Sequence, residues 1–117
     1  MAVDRLSAAS RRFLVEDVES VMQLELVLML HRDAGLAWSS AAAARELRAP
    51  QPWVETQLDR FVQRGLAETT AQDDRRYRFD STGPFAAVVS EIAGCFSQWR
   101  TSIIGLIHRA RPPDPPE

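Results

Sequence analysis

The sequence predicts a mainly α chain with a small β-ribbon. Three observations carry that prediction. Residues 39–47 and 52–64 are short amphipathic segments joined by the proline-bracketed turn Ala49-Pro50-Gln51-Pro52. After Gly65 the pattern changes to period two, with Tyr77 and Phe79 alternating with Arg76, Arg78 and Asp80. From Phe85 to Ile107 apolar residues recur at steps of three and four. A helix–turn–helix unit, a ribbon and a long closing helix accommodate all three patterns.

Taken in order, residues 1–20 form an N-terminal arm or helix. Val3, Leu6 and Ala9 have helical spacing on a weakly apolar face, which is compatible with either. A helix lies within residues 13–33. Val21, Met22, Leu24, Leu26, Val27, Leu28, Met29 and Leu30 leave its second half little polar surface, the mark of an element buried among others. Ser20 and Gln23 have the spacing of a capping box, so the helix restarts or bends there. Glu16, Asp17, Glu19 and Glu25 give it an acidic exposed face. Gly35 is the expected stop, because glycine enters the left-handed C-terminal conformation at little cost.

Leu36-Ala37-Trp38 is extended in character, a candidate third strand beside the ribbon, with Trp38 in the core. Ser39 or Ser40 caps the next helix, whose inward stripe is Ala43, Ala44 and Leu47. Pro50 ends it, and Pro52 suits the first turn of the helix that follows. There Val54, Leu58, Phe61 and Val62 face inward, and Gly65 terminates. A strand from Leu66 to about Thr70, a turn over residues 71–74 and a return strand over 75–80 make the ribbon. The return strand puts Tyr77 and Phe79 on the core and its arginines in solvent. Residues 21–80 are thus one unit. Pro84 opens a closing helix within residues 81–110, roughly 26 residues or ~39 Å long. The proline-rich residues 111–117 are expected to be a disordered tail.

At 117 residues the chain is one domain with a real hydrophobic core. Its formal charge of −2 offers no global attraction to nucleic acid or anionic membrane. All 14 basic residues other than histidine are arginine. Cys95, the single cysteine, cannot form an internal disulfide, and clustered Cys/His zinc spacings are absent, so no metal or cofactor is expected. Cys95 on an apolar stripe reads as a buried small hydrophobe rather than a redox sensor. The first residues lack a signal-peptide core, and no apolar run approaches the ~20 residues of a membrane span. A cytoplasmic setting is the expectation. His31-Arg32-Asp33 echoes a kinase catalytic loop, but no glycine-rich loop or metal-binding triplet accompanies it. It reads as a helix end, where cations suit the dipole. No catalytic constellation assembles, so an enzyme is not expected.

From Val21 to Phe79 the chain resembles the winged-helix transcriptional regulators of the broad MarR and PadR kind. Ala43-Ala44-Arg45-Glu46-Leu47 fits the small-small-x-x-leucine pattern of the family's second helix. Val54, Leu58, Phe61 and Gly65-Leu66 fit the spacing of its third. The closing helix is similar to the PadR dimerisation helix. The resemblance implies a winged helix-turn-helix over residues 21–80 and a C-terminal dimerisation helix over residues 81–110. It implies that the outward face of the third helix enters a major groove of double-stranded DNA. That face offers Trp53, Glu55, Thr56, Asp59, Arg60 and Gln63, and the wing would bring Arg75, Arg76 and Arg78 to phosphate or minor groove.

The chain departs from that pattern in charge. Between Ser39 and Asp80 the arginines Arg45, Arg48, Arg60, Arg64, Arg75, Arg76 and Arg78 are balanced by Glu46, Glu55, Asp59, Glu68, Asp73, Asp74 and Asp80. DNA affinity draws heavily on phosphate neutralisation, and Glu55 and Asp59 would repel the backbone unless they read cytosine amino groups. The wing arginines either contact phosphate or pair with Asp73, Asp74 and Asp80. Trp53 either stacks on a partner or packs against the Pro50–Pro52 turn. The closing helix either folds back on the first helix or forms an interface; the width of its stripe favours a two-fold homodimer, with Phe85, Val88, Ile92, Cys95, Phe96, Trp99, Ile103 and Leu106 as interface candidates. The expected function is a homodimeric DNA-binding transcriptional regulator, acting through Trp53, Thr56, Arg60, Gln63, Arg75, Arg76 and Arg78. The alternative is a winged-helix module that binds a protein partner and does not read DNA.

Overall fold

A computed structural model describes residues 6–70 and 75–110, and of Trp99 and Ala110 the backbone only. The predicted ribbon turn at 71–74 and the predicted tail at 111–117 lie outside the described residues, as does Val3 of the N-terminal segment.

The segment left open as arm or helix is helical and built into the core. Ser7 Oγ accepts from the Ser10 N–H at 3.1 Å and starts α1 (Ala8–Arg12). One π-helical turn, Phe13–Asp17, continues it. Leu6, Phe13 and Leu14 are buried, and the Phe13 ring meets Phe85 at 5.3 Å. The break expected at Ser20 is present. Val18 is extended, and Ser20 Oγ accepts from the Gln23 N–H at 3.1 Å to start α2 (Val21–Arg32). The reciprocal bond is displaced by one residue, since Gln23 Oε1 accepts from the Glu19 N–H at 2.8 Å. Gln23 Nε2 then donates to Gln57 Oε1 at 2.8 Å, an entirely buried bridge.

The stop expected at Gly35 is not a left-handed cap. Among the described residues Gly65 is the glycine with positive φ. Asp33 ends α2 by bonding its N–H to the Met29 carbonyl, and the Leu36 N–H closes a turn on the Asp33 carbonyl at 2.8 Å. The helix is therefore finished before the chain reaches Gly35.

Ser39 caps α3 (Ser40–Leu47), its Oγ accepting from the Ala42 N–H at 3.1 Å. Arg48 ends α3 in the left-handed conformation, φ 60° and ψ 48°, a role usually given to glycine. Pro50 is the cap residue of α4 (Gln51–Arg64), and Pro52 lies in its first turn as predicted. Gly65, φ 82°, ends α4 while the Leu66 N–H reaches back to the Phe61 carbonyl at 2.8 Å, the double-bonded glycine stop. Val54, Leu58 and Phe61 are buried, as their spacing requires.

Strands β1 (Ala67–Thr69) and β2 (Tyr77–Phe79) pair antiparallel, Ala67 opposite Phe79. Trp38 exchanges both backbone bonds with Tyr77, at 2.7 and 2.8 Å, so in place of the candidate third strand over 36–38 there is one isolated bridge beside a two-stranded sheet. Tyr77 and Phe79 are buried. The fold is thus mainly α with a small two-stranded ribbon.

The closing helix α5 (Ala86–Ala110) is 25 residues long, and Pro84 sits in the turn before it rather than in its first turn. Gly83 lies in that turn, and a Cβ there would come within 2.3 Å of the Gly65 carbonyl oxygen. The end of α4 and the approach to α5 therefore touch through backbone. α5 packs over α1, the π turn and α2. That packing corrects the interface expectation for three residues: Ile92 and Ile103 are fully buried, and Cys95 is 9% exposed, all inside the chain's own core. The apolar stripe of α5 is largely consumed by the N-terminal segment and α2, so the helix folds back on the chain as the alternative to an interface had it.

Candidate functional site

The surface built around α4 follows from which side of that helix is buried. Val54, Gln57, Leu58 and Phe61 face the core, so the 3.6-residue period turns Pro52, Thr56, Asp59 and Gln63 outward. Thr56 and Gln63 are exposed, and Thr56 Oγ1 donates to the Pro52 carbonyl at 3.0 Å. Glu55 and Arg60 flank this face and are exposed. Trp53 is half-buried against the core, which favours packing over a free stacking platform.

On the ribbon side the acid of α4 is compensated. Tyr77 Oη donates to Asp59 Oδ1 at 2.6 Å, and Arg75 Nη1 lies 3.7 Å from the same oxygen. The Arg75 guanidinium also sits 5.7 Å from the centre of the Tyr77 ring. Burial, then the hydrogen bond and charge of Asp59, push the Tyr77 hydroxyl up to about 12. Asp59 is therefore a buckle between α4 and the ribbon as well as a surface charge. Across the ribbon Arg78 bonds Glu68, its directly opposite residue, at 2.6 and 2.9 Å. Arg76 is exposed and has an interaction of its own.

At the far end of α4 one carboxylate serves two arginines. Glu19 lies 3.7 Å from Arg60 and 3.8 Å from Arg64, and Arg64 Nη1 also donates to the Asp17 carbonyl at 2.8 Å. At the near end, Arg45, Arg48 and Gln51 line an open hollow of about 540 Å³ with Ala41, Ala44, Ala49 and Pro50. No carboxylate is among those residues, and Glu46 turns instead to Arg32 at 3.4 Å. Gln51 Nε2 donates to Ser40 Oγ at 3.2 Å, tying the start of α4 to the start of α3.

Of the residues singled out in the sequence, Thr56, Arg60 and Gln63 share the outer side of α4, Trp53 is turned to its flank, and Arg75 and Arg78 lie on the ribbon, each beside a carboxylate. In the sequence Arg45 and Arg48 stand out only as part of a charge balance and of the pattern ending α3. Their spacing of three, just before Pro50, was the available signal. Gln57 was missed because an isolated glutamine in an amphipathic helix carries no pattern.

A second surface lies between α2 and α5, a groove of about 460 Å³ lined by Leu28, His31, Arg32, Ala93 and Phe96 among others. Of the interface candidates, Phe85, Val88, Phe96 and Leu106 are half-buried, and the Trp99 side chain lies outside the described residues. His31 Nε2 is 3.0 Å from Ser90 Oγ at one end of the groove. Cys95 is buried, and its thiol is pushed up by burial and by the charge of Glu91, which opposes formation of a reactive thiolate. Among the described residues no group of three His, Cys, Asp or Glu could hold a metal ion, and no helix is long and apolar enough to cross a membrane. The chain matches no known family, no curated protein and no solved structure.

Proposed function

We propose that this chain is a winged-helix, DNA-binding transcriptional regulator, with α3 and α4 as its helix-turn-helix and the β1–β2 ribbon as its wing. The observation that carries the reading is the open outer side of α4 beside a ribbon locked to it by the Tyr77–Asp59 bond. A rod with one polar side free, held at a fixed angle to a ribbon, has the form needed to enter a groove and touch its edge. Asp59, one of the two acids opposed to this role, accepts a hydrogen bond from Tyr77 and is paired with Arg75. We include a homodimer in the reading, formed along the side of α5 that carries Phe96 next to Leu28. A dimer doubles the phosphate contacts available to a nearly neutral protomer.

The pairing of Arg60, Arg64 and Arg78 with acids favours a second reading, a winged helix that engages a protein partner instead of DNA. Salt titration of binding to a mixed-sequence duplex separates the two. The regulator binds at low salt and loses affinity linearly in logarithmic coordinates. Absence of binding at low salt rejects it in favour of the partner reading.

A further inference from the structure

We infer that Arg45 and Arg48, at the turn between α3 and α4, are the principal phosphate contacts of this protein, and that α4 meets a duplex by its first two turns. The inference rests on the DNA reading above and deepens it. It comes from the neighbours of each arginine rather than from the number of arginines.

Phosphate binding is driven by release of condensed counterions, which scales with the net positive charge brought to the backbone. An arginine beside a carboxylate brings a pair whose net charge is near zero. Arg78 arrives with Glu68 at 2.6 Å, and Arg75 with Asp59 at 3.7 Å. Arg60 and Arg64 share Glu19, and Arg64 is further held by the Asp17 carbonyl. Such half-exposed pairs are weak and exchange partners readily. Geometry therefore does not bar these arginines from phosphate, but the acid that accompanies each one discounts it.

Arg45 and Arg48 stand apart from these four. Both are exposed, and among the described residues neither has an ion pair. They flank a hollow wide enough for a phosphate group, with no acid in its wall. Arg48 takes the left-handed conformation that ends α3, which fixes its position beside the hollow. Gln51, on the first turn of α4, lines the same hollow. The free positive charge thus lies at the start of α4. Its neutralised arginines, Arg60 and Arg64, lie ~14 and ~20 Å further along at 1.5 Å per residue. A duplex anchored at Arg45 and Arg48 meets Pro52, Glu55 and Thr56 before it meets Gln63.

The test is fluorescence anisotropy of a labelled mixed-sequence duplex across a salt series. The full chain is compared with the double variants Arg45→Ala/Arg48→Ala and Arg60→Ala/Arg64→Ala. Loss of two phosphate contacts flattens the salt slope by about 2 per protomer. The first variant is expected to show that change, with at least a tenfold loss of affinity at low salt. The second is expected to show less than half of it. Arg45→Lys/Arg48→Lys restores the slope, which separates loss of charge from damage to the turn. An equal or larger effect at Arg60 and Arg64, with the duplex still bound by the unaltered chain, overturns the assignment and leaves the DNA reading standing. Failure of the unaltered chain to bind removes both.

Discussion

Tyr77 joins three parts of the molecule through one side chain. Its backbone pairs with Trp38, its ring is buried, and its hydroxyl holds Asp59 on α4 at 2.6 Å. Removing the hydroxyl in Tyr77→Phe is expected to cost about 1.5 kcal/mol, the lower end for a bond to a charged group because Asp59 keeps part of its hydration. A urea midpoint reads that loss. The hydroxyl also makes stability pH-dependent in a definite direction. Its folded value, about 12, lies above the ordinary 10.0, so the folded state keeps its proton longer than the unfolded state. The stabilisation is complete below pH 10 and drains away as pH rises toward about 12. Tyr77 is the only tyrosine, so tyrosinate absorbance follows this group alone. The folded protein should titrate near 12, and the urea-unfolded chain near 10. A folded midpoint near 10 would contradict the buckle. Nothing in the alternation around Tyr77 revealed Asp59 as its partner. Period two gives the side a residue faces, and the partner depends on how α4 crosses the ribbon.

Among the elements, those whose ends have strong local chemistry were legible in the sequence. Ser39 capping α3, the Pro50–Pro52 turn and the Gly65 stop fall where the sequence puts them, because each acts within a few residues of itself. Gly35 misled because a glycine after an apolar run is a permissive stop, and Asp33 had already closed α2 by bonding back to Met29. The stripe on α5 was legible as apolar but not as to what covers it. Ile92, Cys95 and Ile103 are taken up by the N-terminal segment and α2, and no local pattern encodes which apolar surface a stripe will meet. One contact between elements makes a sharp prediction. In Gly83→Ala the new methyl would lie 2.3 Å from the Gly65 carbonyl and 2.9 Å from Asp80 Oδ2, so backbone must move. The expected cost is at least about 2 kcal/mol, at the high end for a single substitution. Gly94→Ala meets nothing within 4 Å, and should be neutral or slightly stabilising in a helix. Thermal melts of the two variants make the comparison, and equal melting temperatures would contradict the close approach.

For the molecule as a whole, charge rather than shape decides what α4 can meet. The formal charge is −2, and most arginines near α4 and the ribbon come with an acid. Among the described residues around α4 the arginines without an ion pair are Arg45 and Arg48, with Arg76 holding an interaction of its own, and binding through them should be weak for a single protomer and much tighter for two linked heads. The residues that matter for this were in the sequence, but their pairing was not. Glu19 is far from Arg60 and Arg64 in the chain and reaches them only because the break at Ser20 turns the N-terminal segment toward the end of α4. The most direct test maps amide chemical shifts of the 117-residue chain as a short mixed-sequence duplex is added. The account predicts changes at Arg45, Arg48, Gln51 and Thr56 and at the Arg75–Tyr77 side of the ribbon. Changes confined to Leu28, Ala93 and Phe96 in the α2–α5 groove, or no changes at all, would contradict it.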